Sequence, residues 1–426
     1  MKALKVAKLK RVMVTITGLG GFREVGRSSV LVEGSGRLLM DYGINVQDMG
    51  IPIRPPQKLD GALLSHAHLD HCGILPELYK RGFPGRVYAT ETSLDLIKLM
   101  LRDALKVQEK RGLQSHFRTH DIETLERKSS AVKFKNSISL KGAKVTFFDA
   151  GHVPGSALIL VEMDGKRILY TGDAKFQETE LMNAAWNNFK DIDLLICEST
   201  YTEKDHPDRK VLRRELVNHV LDVVNNDGIA VLPCFAIGRS QELLQILSDL
   251  DVPLYLDGMG KAITQMVLNH PSSVRNPKKL RKAFGKARKI QHHSERFKLL
   301  SQPCAIVTTS GMLNGGPVSH YIKRLHKREN CSLYISGYQV ESTVGRTLQD
   351  TGRYVNEGVD VKPKMQIIFR DWSAHAGRTG ILNFVKKIRP KKVLFEHGSR
   401  CEAFAREVSG MGFPSIAPKN GEKVNV

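Results

Sequence analysis

Short apolar runs broken by glycines and polar residues open the chain. Residues 12–17, 28–33 and 37–41 read as strands and predict the start of a β-rich layer. "KLDGALLS" (58–65) approaches another strand, "GILPELYKRG" (73–82) reads as a helix, and 91–110 has the spacing of a long amphipathic helix. "AKVTFFDAGH", "SALILVEMDGKRILYTGD" and "IDLLICEST" are three further strand regions, each with polar residues at or beyond its end. Loops that follow buried strands hold ligating side chains well, because the strand fixes where the loop begins.

The pattern changes after Tyr201. "GIAVLPCFAIGRSQELLQILSDL" is a strand, a glycine turn and a helix. "VPLYLDG" before "KAITQMVLNH" and "CAIVTTSGM" before "PVSHYIKRLH" repeat that order, and "NCSLYISGY" adds a strand. Such alternation predicts a parallel α/β domain over 203–357. From 363, "KPKMQIIFRDWSAHAG", a helix-like segment, "KKVLFEHGS" and a final helix-like segment complete the chain.

Composition narrows the class. With 426 residues, 41% hydrophobic and 26% charged, the chain can bury a large core as two domains or as one domain carrying a large insertion. No apolar run reaches 18 residues, which argues against a membrane span. The start, "MKALKVAKLKRVMVTITG", is basic but lacks the apolar block and cleavage site of a secretory signal. Cys72, Cys197, Cys234, Cys304, Cys331 and Cys401 are scattered without a CxxC pair, so a reducing, cytoplasmic setting is expected. A formal charge of +21 suits a polyanionic partner, nucleic acid ahead of a membrane surface. The densest basic stretch, 275–298, holds ten Lys/Arg against one Glu and is a candidate RNA-facing surface.

The candidate chemistry begins at "LLSHAHLDHCG" (64–74), which puts His66, His68, Asp70 and His71 within six positions after an apolar strand. Burying four such groups without a shared partner is costly, and a divalent cation is a partner suited to imidazole and carboxylate. His152 and Asp173 each lie just past a strand and bring the set to six. Six ligands are too many for one tetrahedral ion but suit two ions sharing a carboxylate. Asp41, ending "GRLLMDYG", is placed to orient a ligand histidine. His375 and His397 occupy similar strand-end positions, and Glu198 could hold one of them. Spacing alone leaves open which of the two is a ligand and which a proton donor to the leaving group. The "TTSGMLNGG" loop (308–316), with Ser310 and Gly311, is a candidate phosphate cradle.

Together, Asp41, "HAHLDH", His152 and Asp173 resemble the metallo-β-lactamase superfamily. "CEST" with Glu198, "DWSAHAG" with His375 and "FEHGS" with His397 resemble the three extra motifs of its β-CASP nucleic-acid-processing branch, which includes archaeal relatives of the eukaryotic cleavage and polyadenylation endonuclease. "PCFAIGRSQE", "TTSGMLNGGP" and "GYQVESTVGR" look like that branch's insertion domain. The resemblance implies an α/β fold, an αββα sandwich made of 1–202 and 358–426, with an inserted parallel α/β domain over 203–357. It implies two Zn2+ per chain, with Mn2+ as a substitute. One ion takes His66, His68 and His152, the other Asp70, His71 and His397, and Asp173 bridges them. It also makes His375 the proton donor, supported by Glu198, and gives Asp70 a catalytic role beside its ligand role.

The implied activity is hydrolysis of single-stranded RNA by a dinuclear zinc-activated hydroxide, as an endonuclease, a 5′-to-3′ exonuclease, or both. RNA is the stronger expectation over DNA. A homodimer or RNA-processing complex subunits are the expected protein partners, and no membrane. Two departures are visible: "EHGS" lacks a further acidic residue after its glycine, and Ser342 stands where glycine is common. A short form without the KH-like extension of longer archaeal relatives is expected. Two rival readings compete. A small-molecule metallohydrolase explains the early ligands but neither the basic insertion nor His375. A non-catalytic RNA-processing subunit conflicts with a complete ligand set.

Overall fold

The computed structural model describes residues 13–426, so the basic start of the chain and the first residue of its first expected strand lie outside the described residues. Two seven-stranded sheets form the core. The first runs, in spatial order, Lys423–Asn425, Thr15–Gly20, Ser29–Glu33, Arg37–Met40, Gly61–Leu63, Val87–Ala89 and Ser129–Ala131. The second runs Ser415–Ile416, Lys392–Glu396, Leu194–Glu198, Lys166–Tyr170, Ala157–Met163, Ala143–Asp149 and Ser137–Leu140.

Alternating side chains explain the layering. Val30, Val32, Leu38 and Met40 point between the sheets and meet Val145, Phe147, Ile159, Val161 and Ile168. Their neighbours Leu31 and Leu39 point the other way, into the layer formed by Leu75–Lys80, Glu91–Lys110 and Thr119–Arg127. On the far side, Leu160, Leu169, Leu195 and Phe395 pack against Arg378–Ile388 and Cys401–Gly410. Both sheets are therefore apolar on both faces, and the core is a helix–sheet–sheet–helix sandwich. The helix read at 91–110 spans Glu91–Lys110; Thr90 caps it by accepting from the Ser93 N–H at 3.2 Å, and Leu94, Ile97, Leu101 and Leu105 form its buried stripe.

The insertion is a six-stranded parallel sheet, ordered Arg288–Lys289, Leu254–Asp257, Cys304–Thr308, Ile229–Pro233, Ser332–Ile335 and Gln366–Phe369. Arg209–Asn225 and Arg239–Leu247 cover one face, and Pro317–Leu325 covers the other. The sheet reaches past residue 357: Gln366–Phe369 pairs in parallel with Ser332–Ile335, Ser332 opposite Gln366, before the chain returns to the core. The carboxyl ends of its strands lead into loops that meet the core, where ligands bind in open α/β sheets. Gly238, in one of these loops, lies so close that a Cβ would stand 2.9 Å from Val153 Cγ1. All six cysteines are buried and unpaired. Among the described residues, no helix is long and apolar enough to cross a membrane.

Candidate metal centre

Five chain segments converge at one end of the sandwich. A single helical turn, Leu69–Cys72, carries Asp70 and His71, with His66 and His68 just before it. Gly43 lets the turn settle, because a Cβ there would stand 1.7 Å from the Asp70 carbonyl oxygen. The loops after Ala143–Asp149, Lys166–Tyr170 and Lys392–Glu396 bring His152, Asp173 and His397, and the loop after Gln366–Phe369 brings His375. Asp41 (φ 57°) and His397 (φ 52°) are both held in the left-handed region, strain that a non-glycine residue bears only where its surroundings fix it.

The side chains form two quartets that share Asp173: His66, His68 and His152 on one side, Asp70, His71 and His397 on the other. Within the quartets the ligating atoms lie within 4.8 Å of one another. His66 Nε2 and His152 Nε2 lie 3.1 and 3.2 Å from His68 Nδ1. Asp173 Oδ2 is 3.4 Å from both His66 Nε2 and His71 Nε2, and His397 Nε2 is 3.4 Å from Asp70 Oδ2. A third group joins Asp173 with Glu198 and His375. Six sequence-predicted ligands, His397, His375 and Glu198 are thus brought together.

Two carboxylates set the histidine tautomers. Asp41 is fully buried and accepts from His71 Nδ1–H at 2.7 Å, from Ser65 Oγ–H at 2.6 Å and from Tyr170 Oη–H at 2.8 Å. An ionised carboxylate only accepts, so His71 must donate through Nδ1 and turn the lone pair of Nε2 inward. Ser65 gives its proton to Asp41 and so accepts from His66 Nδ1–H at 3.0 Å, which frees His66 Nε2. Glu198 acts alike: it accepts from His375 Nδ1–H at 2.9 Å and from Thr200 Oγ1–H at 2.7 Å. Thr200 in turn accepts from His397 Nδ1–H at 3.1 Å. His152 Nδ1–H donates to the Ala374 carbonyl at 3.0 Å, tying that ring to the loop of His375.

What remains unpaired is informative. His71 Nε2, His397 Nε2 and Asp173 Oδ1 are buried with no hydrogen-bond partner. Orphaned lone pairs aimed at one another are unfavourable by themselves, and cations relieve them. The nitrogen and carboxylate donors fit zinc and tolerate manganese. Burial first, then the charge of His66, pushes His68 down to about 3, whereas Asp173 and Asp70 outweigh burial and raise His71 and His397, the latter to about 9. Burial works to lower His375 as well, but Glu198 and Asp173 outweigh it and raise its pKa above the ordinary histidine value.

Several positioning residues escaped the sequence reading. Ser65, Tyr170 and Thr200 are ordinary strand-end residues, and only their place within three positions of His66, Asp173 and Glu198 hints at a role. Lys175 is 1% exposed and donates to the carbonyls of Ser373 and His375 at 3.3 and 2.8 Å, pinning the His375 loop from the core. Arg209 grips the same loop from the insertion, donating to Trp372 and Ser373 carbonyls.

The other candidates stand apart from the quartets. Ser310 and Gly311 follow the insertion strand Cys304–Thr308. Ser310 is half-buried and donates to the Gly315 carbonyl at 3.2 Å. Gly311 is buried, and a Cβ on it would stand 3.0 Å from Phe235 N, so its bare backbone serves a close approach. In the basic stretch, Arg275, Lys279 and Arg296 pair with Glu178, Glu180 and Asp257, Arg281 and Lys286 are exposed but donate to backbone carbonyls, and Lys278, Lys282, Arg288 and Lys298 are also exposed.

A two-lobed sandwich with a shared-carboxylate histidine cluster defines a metallo-hydrolase fold. Residues 23–212 match the Metallo-beta-lactamase superfamily, 240–348 the Beta-Casp domain, and 360–418 the Zn-dependent metallo-hydrolase RNA specificity domain. The chain is 34% identical to "Probable RNase MJ4" of Methanocaldococcus jannaschii over 96% of this chain and 99% of that one. It is 32% identical to "RNase aCSPSF2" of Saccharolobus solfataricus, covering 96% and 84%. It is likewise 32% identical to "Transcription termination factor FttA" of Methanosarcina mazei, covering 90% and 67%. A crystal structure of a protein of unknown function from Enterococcus faecalis shares the fold, with a TM-score of 0.61 at 13% identity over 97% of this chain and 100% of that one. The chain belongs to the β-CASP branch of the metallo-β-lactamase superfamily.

Proposed function

We propose that this protein is a metal-dependent ribonuclease that hydrolyses phosphodiester bonds of single-stranded RNA in RNA processing or decay. The observation that carries the reading is the pair of quartets sharing Asp173, with the His375–Glu198 pair beside them. RNase relatives over nearly the full chain and the match to an RNA specificity domain support RNA as substrate.

His66, His68, His152 and Asp173 would hold one zinc ion and Asp70, His71, Asp173 and His397 a second, with manganese an acceptable substitute. Bound there, the ions supply Lewis-acid stabilisation of the phosphoryl oxygens and a water of lowered pKa. His375 faces the departing 3′ oxygen with Nε2, because Glu198 holds Nδ1. Glu198 and Asp173 raise its pKa against the effect of burial, the direction a proton donor needs. Asp41 and Glu198 fix the rings so that each nitrogen meets its task without reorganisation. The Ser310–Gly311 loop holds a neighbouring phosphate. The protein works in the cytoplasm, alone, as a homodimer or with RNA-processing subunits.

The test is digestion of 5′-labelled and internally labelled RNA by metal-loaded protein. Mononucleotides from the 5′ end identify an exonuclease, and internal fragments an endonuclease. Intact RNA under conditions where both ions are bound contradicts the reading.

A further inference from the structure

Two large apolar rings stand exposed at the carboxyl end of the insertion sheet. Phe235 is 39% exposed and Tyr338 is 53% exposed. Each follows one of two neighbouring parallel strands, Ile229–Pro233 and Ser332–Ile335. The rings belong to one local surface: a Cβ on Gly337 would stand 3.2 Å from Phe235 Cε2, so the Phe235 ring lies over the backbone just before Tyr338. Nothing in the core of the insertion uses these faces, which is unusual for aromatic side chains able to bury a large area.

Their surroundings say what they face. On one side, the Phe235 backbone abuts Gly311 in the candidate phosphate loop. On the other, the loop that begins at Phe235 packs Gly238 against Val153, the residue after His152. The ring of His152, next to Val153, lies 4.7 Å from that of His375, centroid to centroid. The loop that carries Phe235, with the Gly337–Tyr338 backbone under its ring, therefore runs from the phosphate loop to the segment of His152, on the insertion's side of the metal centre.

Resting on the ribonuclease reading, we infer that Phe235 and Tyr338 form a stacking platform for an unpaired nucleobase next to the scissile phosphate. A π-face accepts any base, so the platform confers preference for single strands without sequence preference. A base inside a duplex is already stacked and cannot reach it. Glycine at 337 lets the Phe235 ring settle on the backbone, since a Cβ there would crowd the ring at 3.2 Å.

The experiment measures binding of single-stranded RNA oligonucleotides in which one base at a time is removed, by fluorescence anisotropy. It uses zinc-loaded His375→Ala protein, so that the RNA survives. In that background, Phe235→Ala and Tyr338→Ala are compared with the unaltered platform. Base–aromatic stacking is worth roughly 5- to 150-fold in affinity. With the platform intact, removal of the stacked base is expected to weaken binding by a factor in that range. With either ring removed, intact RNA binds weaker and the same base deletion costs nothing further. Phe235→Leu keeps apolar bulk against Gly337 and is expected to behave as the alanine variant, while Phe235→Trp restores binding. If the ring variants bind intact RNA unchanged, or every base deletion weakens all proteins equally, the platform is overturned. If the protein with intact rings binds no RNA, the ribonuclease reading fails first and the platform falls with it.

Discussion

The buried carboxylate of Asp41 accepts from His71 Nδ1 at 2.7 Å and, through Ser65, orients His66 as well, so one residue outside the ligand set serves both quartets. Replacing Asp41 with Ala leaves four donors, the Ser65 N–H and hydroxyl, His71 and Tyr170, without their acceptor and frees both rings to turn. Loss of such an orienting partner typically costs about 10–100-fold in metal affinity. Competition with a chelator is expected to show that loss in Asp41→Ala for both ions. Weakening of one ion alone contradicts the shared role.

His375 and His397 should separate in a paired measurement of zinc content and single-turnover cleavage. His375→Ala is expected to keep both ions and lose about 10²–10⁴-fold in rate. His397→Ala and Asp173→Ala are expected to lose metal and activity together. If His375→Ala loses an ion while His397→Ala retains both, the roles are reversed.

Asp149 gives a pH test away from the ligands. Burial raises its pKa to about 6, against the pull of the Gly151 N–H. A carboxyl whose folded pKa lies above its unfolded value contributes stability that is complete below the unfolded pKa, about 3.9, and is lost as pH rises through 6. Asn keeps an acceptor for Gly151 without the charge. Asp149→Asn is therefore expected to melt higher than the unaltered protein at pH 8, by up to about 3 kcal/mol of stability, and to match it near pH 4. An equal difference at both pH values contradicts the assignment.

Lys278 and Lys282 project from the helix Pro277–Lys286, whereas Lys279 is held by Glu180 and Asp249. If the exposed pair touches RNA, Lys278→Glu with Lys282→Glu weakens binding and flattens its salt dependence. On a single strand, the slope of log affinity on log salt falls by about 0.7 for each phosphate that the protein no longer neutralises. Lys279→Ala, by contrast, is expected to change stability more than slope.

The candidate site was legible because "HAHLDH" concentrates costly groups after an apolar strand, and because His152, Asp173, His375 and His397 each follow a strand that reads clearly. Their partners were not. Ser65, Tyr170 and Thr200 act through hydroxyls whose direction only the folded chain sets, and Lys175 looks like any lysine until it is buried. The parallel insertion follows from strand–helix order, whereas alternation marked only a β-rich layer and the sandwich was implied by the family resemblance. The edge strand Gln366–Phe369 was read with the returning segment because a short apolar run carries no mark of which sheet it joins. Between 111 and 142, the helix Thr119–Arg127 and the strands Ser129–Ala131 and Ser137–Leu140 are short and polar, too weak in period to stand out.

The dinuclear ribonuclease assignment is tested most directly by titrating metal-free protein with zinc while following both bound zinc by elemental analysis and cleavage of internally labelled single-stranded RNA. Activity that rises with occupancy and saturates at two ions per chain is the expected result. Full activity with one ion or fewer at saturation, or no cleavage with two bound, contradicts it.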